Sequence, residues 1–163
     1  MEHDGLTKVH VDLPNHWAVG GESIWARSVG VHAFELHTVP FHAYDLNYLD
    51  VVEAVSQGPE RKPSVRRVLR RSGHRTLRLF LKETTPNSDR APLLESLKVF
   101  GASFERANRR YFAIDIAPTG DYEGTCARLD EWSDQGILDY ETCEARVPGS
   151  FDDQPRKIVD GAG

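Results

Sequence analysis

The side chains best able to do chemistry lie close together between His37 and Asp50, where His37, His42, Tyr44, Asp45, Tyr48 and Asp50 share one short stretch. Imidazole and carboxylate groups within reach of each other can hold Zn²⁺ or Fe²⁺, or act as a general base and the group that orients it. The spacing fits neither role. His37 and His42 differ by five positions, which puts them on opposite faces of one extended strand, and Pro40 interrupts even that. The simpler reading makes both loop histidines with local partners and leaves Asp45 to pair with turn amides. Asp50 directly precedes the apolar run VVEAV, where a carboxylate is expected to accept backbone N–H groups. No metal and no cofactor is expected.

Nucleophilic chemistry has no better support. Cys126 falls on the apolar stripe of a helical segment, where a thiol behaves as a small hydrophobe with a high pKa. Ser72 lies between two strand patterns, unlike the strand-turn-helix setting of a nucleophile elbow, and no GxSxG surrounds it. GGES at 20–23 lacks the further glycines and the lysine of a phosphate loop. No catalytic residue is assigned. Cys126 and Cys143 are the two cysteines and lack CxxC spacing, so they are read as reduced thiols of a cytoplasmic protein.

Charge is the stronger signal. Arg61 to Lys82 carries nine of the 20 Lys and Arg residues and none of the 25 acids, so a +9 segment sits in a body of 11 − 25 = −14. Within it Leu77, Leu79 and Leu81 alternate with Arg78, Phe80 and Lys82, the period of a half-buried strand. Val65 to Arg71 is expected to pair with it as a hairpin turning at Gly73-His74, with Arg70 opposite Leu77 and Arg67 opposite Phe80. The alternative register would set Arg67 against Arg78 and is disfavoured by like-charge contact. The predicted face carries Arg67, Arg71, Arg78 and Lys82; Arg67, Arg71, His74 and Arg78 form the candidate basic patch. Solvated edge charges that deter aggregation are the plainer account of the same residues. A second concentration is acidic: Glu123, Asp130, Glu131, Asp134, Asp139 and Glu141, flanked by Asp121 and Glu144, crowd one helical segment and the strand after it. Such a field draws in a basic partner, although it also serves plain solubility.

Positioning these groups requires two differently patterned halves. With 163 residues, 39% hydrophobic and 28% charged, the chain has the composition of a soluble globular protein, and the order of its elements predicts an α+β fold. The opening MEHDGLTKVHVDL lacks an apolar core behind basic residues, so no signal peptide is expected, and no run approaches a membrane span. Lys8–Leu13, Glu22–Ser28, Val31–Phe41, Asp50–Ser56 and Val65–Arg71 read as short strands of a bent sheet or partial barrel. After Lys82 a helix is expected from Ser88 or Asp89, with Pro92 in its first turn and Gly101 past its end. Strands Ala102–Ala107 and Arg110–Ala117 turn at Asn108-Arg109. A second helix starts at Asp121, aligns Tyr122, Cys126, Leu129 and Trp132, and stops at Gly136; Ile137–Ala145 is the last strand. Counted from Thr76, the order is β-α-β-β-α-β, that of a ferredoxin-like sandwich. The expected division is an N-terminal β unit over 6–72, a ferredoxin-like half over 73–146 and a disordered tail over 147–163. In that arrangement Leu77, Leu79, Leu81, Phe112, Ile114 and Ile116 face the helices. Arg78, Phe80, Tyr111 and Asp115, with Asp139 and Glu141, face the other way, where the N-terminal unit is expected to cover the rings.

Several stretches taken together, WARSV, ELHTVPFHAYDLNYLDVV, SGHRT and AIDIAPTGDY followed by GILDYE, resemble the mainly bacterial domain-of-unknown-function family 4265. Their order and spacing over about residues 8–145 carry the likeness. The resemblance implies a shared fold and supplies no activity.

The leading expectation is a non-catalytic cytoplasmic binding protein that docks on another protein through its charged surfaces, as an immunity- or inhibitor-type neutraliser does. A nucleic-acid or ribosome-associated protein using Arg66, Arg67, Arg70, Arg71, Arg75 and Arg78 is the alternative. A small enzyme or small-molecule binder, with a pocket between the halves lined by Trp25, His37, His42 and Arg78, is the third. No membrane partner is expected.

Overall fold

Alternation in the first half of the chain yields five strands whose inward side chains meet in one core. In the computed structural model, which describes residues 5–14, 16 and 19–144, these are β1 (Thr7–Asp12), β2 (Gly21–Gly30), β3 (Ala33–Leu36), β4 (Val51–Ser56) and β5 (Pro63–Arg70). Each pairs antiparallel with the next, and a parallel contact of β1 with β5 at His10 and Ser64 closes them into a barrel. Register shifts between Ser28 and Gly30 in β2, and twice along β4 against β5, supply the added twist that closure needs. Val9, Ile24, Ala26, Leu36 and Val52 fill the interior. The expected tail over 147–163 lies outside the described residues.

The second half is built from β6 (Arg75–Leu81), α1 (Asn87–Ser96) continued by a 3₁₀ turn over Leu97–Phe100, β7 (Ala102–Arg106), β8 (Tyr111–Ile116), α2 (Tyr122–Asp134) and β9 (Leu138–Thr142). The sheet order is β7-β8-β6-β9, every neighbouring pair antiparallel. Leu77, Leu79, Leu81, Phe112, Ile114 and Ile116 pack in one core with Leu94, Leu97, Leu129 and Trp132 of the helical segments, as the period-two pattern requires. Among the described residues the fold is α+β, a five-stranded barrel antiparallel except where β1 meets β5, and a four-stranded antiparallel sheet with two helices. Asp121 caps α2 by accepting from the Gly124 N–H at 2.9 Å. Helix α1 begins earlier than expected, with Pro86 at its cap rather than Ser88 or Asp89, so that Pro92 falls inside the helix. Among the described residues no helix is long and apolar enough to cross a membrane.

Two expectations about strands are corrected. The hairpin over 65–82 does not form: β5 pairs with β4 and β1, whereas β6 pairs with β8 and β9. Strand β6 is buried on both faces from Thr76 to Leu79, under the helices on one and the Pro40–Ala43 segment on the other, and lies in the middle of the second sheet. The link between the sheets is pinned instead by Ser72, whose N–H donates to Asp50 Oδ1 at 2.8 Å and whose hydroxyl donates to the Tyr48 carbonyl at 2.7 Å. Strand β3 stops at Leu36 rather than Phe41. Beyond it Pro40 has no N–H to offer a ladder, and the amides of Phe41, His42 and Ala43 go to the Glu22 carboxylate.

One close approach holds the sheet to the α2 loop. Gly101 lies at φ 79°, and a Cβ there would stand 2.9 Å from the Gly120 Cα. Gly101→Ala is therefore expected to destabilise the protein by about 1–2 kcal/mol from the left-handed backbone alone, and further from the overlap. Urea denaturation measures this; a variant as stable as the parent would show that the contact is readily relaxed.

Candidate functional site

The face of the second sheet turned away from the helices is covered by the segment between β3 and β4, residues 37–50. Arg78, in the middle of β6, is 1% exposed. Its Nη1 donates to the carbonyls of Pro40 at 3.2 Å and Ala43 at 2.8 Å, its Nη2 to that of His42 at 3.3 Å, and its Nε to Glu141 Oε2 at 3.2 Å. Glu22 on β2 holds the same segment from the other side, accepting from the N–H groups of Phe41 at 2.6 Å, His42 at 3.0 Å and Ala43 at 2.9 Å. The Tyr44 hydroxyl donates to Glu141 and the Tyr111 hydroxyl to the Phe41 carbonyl. His42 stacks on Tyr111 at 5.6 Å and meets His16 edge-on at 5.4 Å. Cys143 Sγ donates to the Ala43 carbonyl at 3.1 Å.

The electrostatics of this junction favour packing over reaction. Burial opposes the charge on Arg78, but the acidic groups around it, of which the Glu141 carboxylate is the one ionised near neutral pH, outweigh it and raise its pKa, so the guanidinium stays charged. Burial pushes the Tyr111 hydroxyl upward, with Arg78 acting against it, so it remains a donor. Burial likewise pushes the Cys143 thiol up to about 12, which removes it as a nucleophile near neutral pH. Cys126, also a free thiol, is raised by burial as well.

The stretch singled out in the sequence does not converge. His37 turns to Glu35 at 2.9 Å and to the Tyr48 ring, while His42 lies against Tyr111. Asp45 is exposed and pairs with Arg71 at 3.0 Å. Asp50 is fully buried and accepts from the N–H groups of Asn47 and Ser72, the amide-binding role expected of it. Among the described residues, no three or more His, Cys, Asp or Glu side chains are arranged to hold a metal ion. Arg78, expected to line a pocket with Trp25, His37 and His42, is instead committed to Glu141 and main-chain carbonyls.

Neither charged patch survives intact. Arg78 is interior, Arg67 pairs with Glu53 at 3.0 Å, Arg71 with Asp45, and His74 Nδ1 lies 2.9 Å from Asp115 Oδ1, so these four do not share a surface. Arg75 pairs with Glu144 and lies over the Tyr122 ring, which further disperses the arginines considered for nucleic acid. On the acidic side Glu123, Asp130, Glu131, Asp134 and Asp139 are exposed. Glu141 is 5% exposed and is removed from that set, because it is the counter-ion of Arg78. Glu22 was missed as an organising residue; its sequence signal, a lone acid after two glycines, suggested only a failed phosphate loop.

Residues 22–140 match the family described as Domain of unknown function (DUF4265). The match spans most of the chain, and the protein belongs to that family. No curated protein matches it. Among solved structures it is similar to a hypothetical protein from Neisseria gonorrhoeae, with a TM-score of 0.71 at 15% identity, covering 85% of this chain and 94% of that one. At that identity the likeness establishes a common fold.

Removing one partner of the buried pair leaves the other charge uncompensated. Arg78→Met is expected to cost about 3–5 kcal/mol, and Arg78→Met with Glu141→Gln less than the sum of the two single changes. Should the single variant fail to fold, Arg78→Lys reports a smaller loss through the missing guanidinium fork. Additive losses in a denaturation cycle would mean that the two groups do not act together.

A pH effect follows from the outer strands. Glu105 on β7 has its pKa raised by burial and by Asp115 on β8, itself raised by burial and lowered by His74. A carboxyl with a raised folded pKa contributes stability below its unfolded value and loses it as pH climbs through the folded one. Glu105→Gln is expected to be neutral near pH 3, a value about a unit below the unfolded carboxyl's, and stabilising at pH 7. Urea midpoints across that range check this, and a gain independent of pH would contradict it.

Proposed function

We propose that the protein is a non-catalytic binding protein that docks on a partner protein with a basic surface, using the acidic side formed by α2 and β9. The observation that supports this reading is the contrast between interior and exterior. The titratable groups of the junction are closed into packing, while Glu123, Asp130, Glu131, Asp134 and Asp139 stand exposed on one helix and the adjoining strand. The helix and strand are linked by the Tyr140 hydroxyl donating to Asp130 at 2.6 Å. Carboxylates held on a framework attract a basic surface over about a Debye length and orient its approach. Size and net charge suit an immunity- or inhibitor-type neutraliser acting in the cytoplasm. We read the half that bears this surface as a ferredoxin-like sandwich, a reading supported by the antiparallel order β7-β8-β6-β9 with a helix in each crossover.

Affinity capture from the native cells tests it. At about 50 mM salt one partner is expected in stoichiometric yield, falling away toward about 0.5 M as screening grows. A triple reversal, Asp130→Lys, Glu131→Lys and Asp134→Lys, is expected to abolish it. A partner held equally well by the reversed protein, or no stoichiometric partner at low salt, removes the reading.

A further inference from the structure

The edge of the second sheet remote from β9 carries a feature of opposite sign. Two adjoining clefts, of about 490 and 270 Å³, lie beside the start of α1 and the β7–β8 turn and share Asn87, Arg90 and Arg109 in their walls. Arg110, which pairs with Glu83 at 3.6 Å and lies over the Phe80 ring, completes the first cleft and Arg106 the second, and Glu83 is the one carboxylate among the lining residues. Four positive charges against one give +3 in a chain whose net charge is −5.

Arg90 is the informative member. It is 8% exposed, donating from Nε to the Thr85 carbonyl at 3.2 Å and from Nη1 to the Arg109 carbonyl at 3.3 Å. Among the described residues it makes no ion pair. A guanidinium has five N–H donors, and a buried charge satisfied only by carbonyl dipoles lacks the counter-ion that ordinarily accompanies burial. Its place in both walls puts that missing charge in the clefts. The helix end alongside adds to this: Pro86 caps α1 without any side-chain hydrogen bond, so although the Asp89 N–H goes to the Pro86 carbonyl at 3.0 Å, the amides of Asn87 and Ser88 keep their partial positive charge. Asp89 of that turn lines a different cleft, with Pro92 and Leu93.

The smaller cleft differs in character. Ala91, Leu94, Phe104 and Phe112 form its apolar wall, the two phenylalanine rings meeting edge to face at 6.1 Å. An anionic end held among arginines and a flat apolar body laid against phenylalanine rings describe one ligand class. We propose that these adjoining clefts bind an organic anion with a planar ring, of the size of a mononucleotide, with its anionic group at Arg90 and Arg109 and its ring against Phe104, which the buried Phe112 backs.

Adenosine 5′-monophosphate is the probe, with adenosine as the uncharged comparison, titrated into the intact protein and followed by amide resonances and calorimetry. The expected result is one-to-one binding that displaces resonances within 87–94 and 104–112 and is at least about tenfold tighter than for adenosine, the scale of one charge-assisted contact. Arg109→Glu and Arg106→Glu, both at exposed positions, are each expected to weaken binding at least about tenfold. Phe104→Ala is expected to weaken the monophosphate and adenosine alike. No displacement of those resonances at about 10 mM probe overturns the proposal, as does binding that both arginine variants leave unchanged. Neither outcome bears on the acidic surface of α2 and β9, which lies at the other edge of the sheet.

Discussion

Everything in this molecule depends on how four residues, Pro40 to Ala43, are gripped from two sides. A carboxylate from the barrel takes three consecutive amides, and a guanidinium from the central strand of the second sheet takes three carbonyls of the same segment. Amide and carbonyl ends of those peptide units thus point to opposite charges, each bond charge-assisted and about twice as strong as a neutral one. The arrangement is also unforgiving. An Arg desolvated to 1% exposure carries a penalty of several kcal/mol, offset only because Glu141 and the carbonyls occupy four of its donor positions.

This explains why the two halves meet as they do. Their apolar cores are separate clusters, one inside the barrel and one between sheet and helices. Apolar burial has no directional preference, so it would not fix one half against the other. Direction comes from the polar seam, where the Asp45 N–H donates to the Cys143 carbonyl at 2.7 Å and the Thr76 hydroxyl to Asn47 at 2.8 Å, alongside the Tyr44 and Tyr111 hydroxyls. Asp50 extends the seam to the Ser72 link and so joins the end of the covering segment to the start of β6.

What could be read from the sequence was whatever is local or periodic. The alternation of Leu77, Leu79 and Leu81 and of Phe112, Ile114 and Ile116 named the core-facing residues, and Asp121 with Gly136 bracketed α2 to within two residues. Pairing was another matter. Strands β5 and β6 are neighbours along the chain with a glycine between them, which is the ordinary signature of a hairpin, yet β6 pairs with β8 and β9 instead. Arg78 illustrates the limit most clearly. Charge on a strand is normally read as solvated, and the acceptors that reverse the rule come from Ala43 and Glu141, 35 and 63 positions away. Nothing near Arg78 in the chain announces them. The same distance hid Glu141 among the acids of β9, where its neighbours Asp139 and Glu144 are exposed.

The placement of Arg78 also changes how the net charge should be understood. With Glu141 it forms a neutral interior pair, so neither contributes to the outer field, and what remains on the second half is unevenly placed, although Arg128 pairs with Glu131 at 3.3 Å on α2 and Glu105 lies on β7. The β9 edge and α2 carry Asp130, Glu131, Asp134 and Asp139, the last partly offset by Lys82 at 3.0 Å; the β7–β8 turn carries Arg106, Arg109 and Arg110. Two further strands separate these edges in the order β7-β8-β6-β9. At about 4.8 Å per strand the separation exceeds the Debye length of roughly 8 Å at physiological salt, so each edge acts on its own surroundings. Under the two proposals above a basic surface would meet one edge and a small anion the other, and the mean charge of the chain would describe neither encounter.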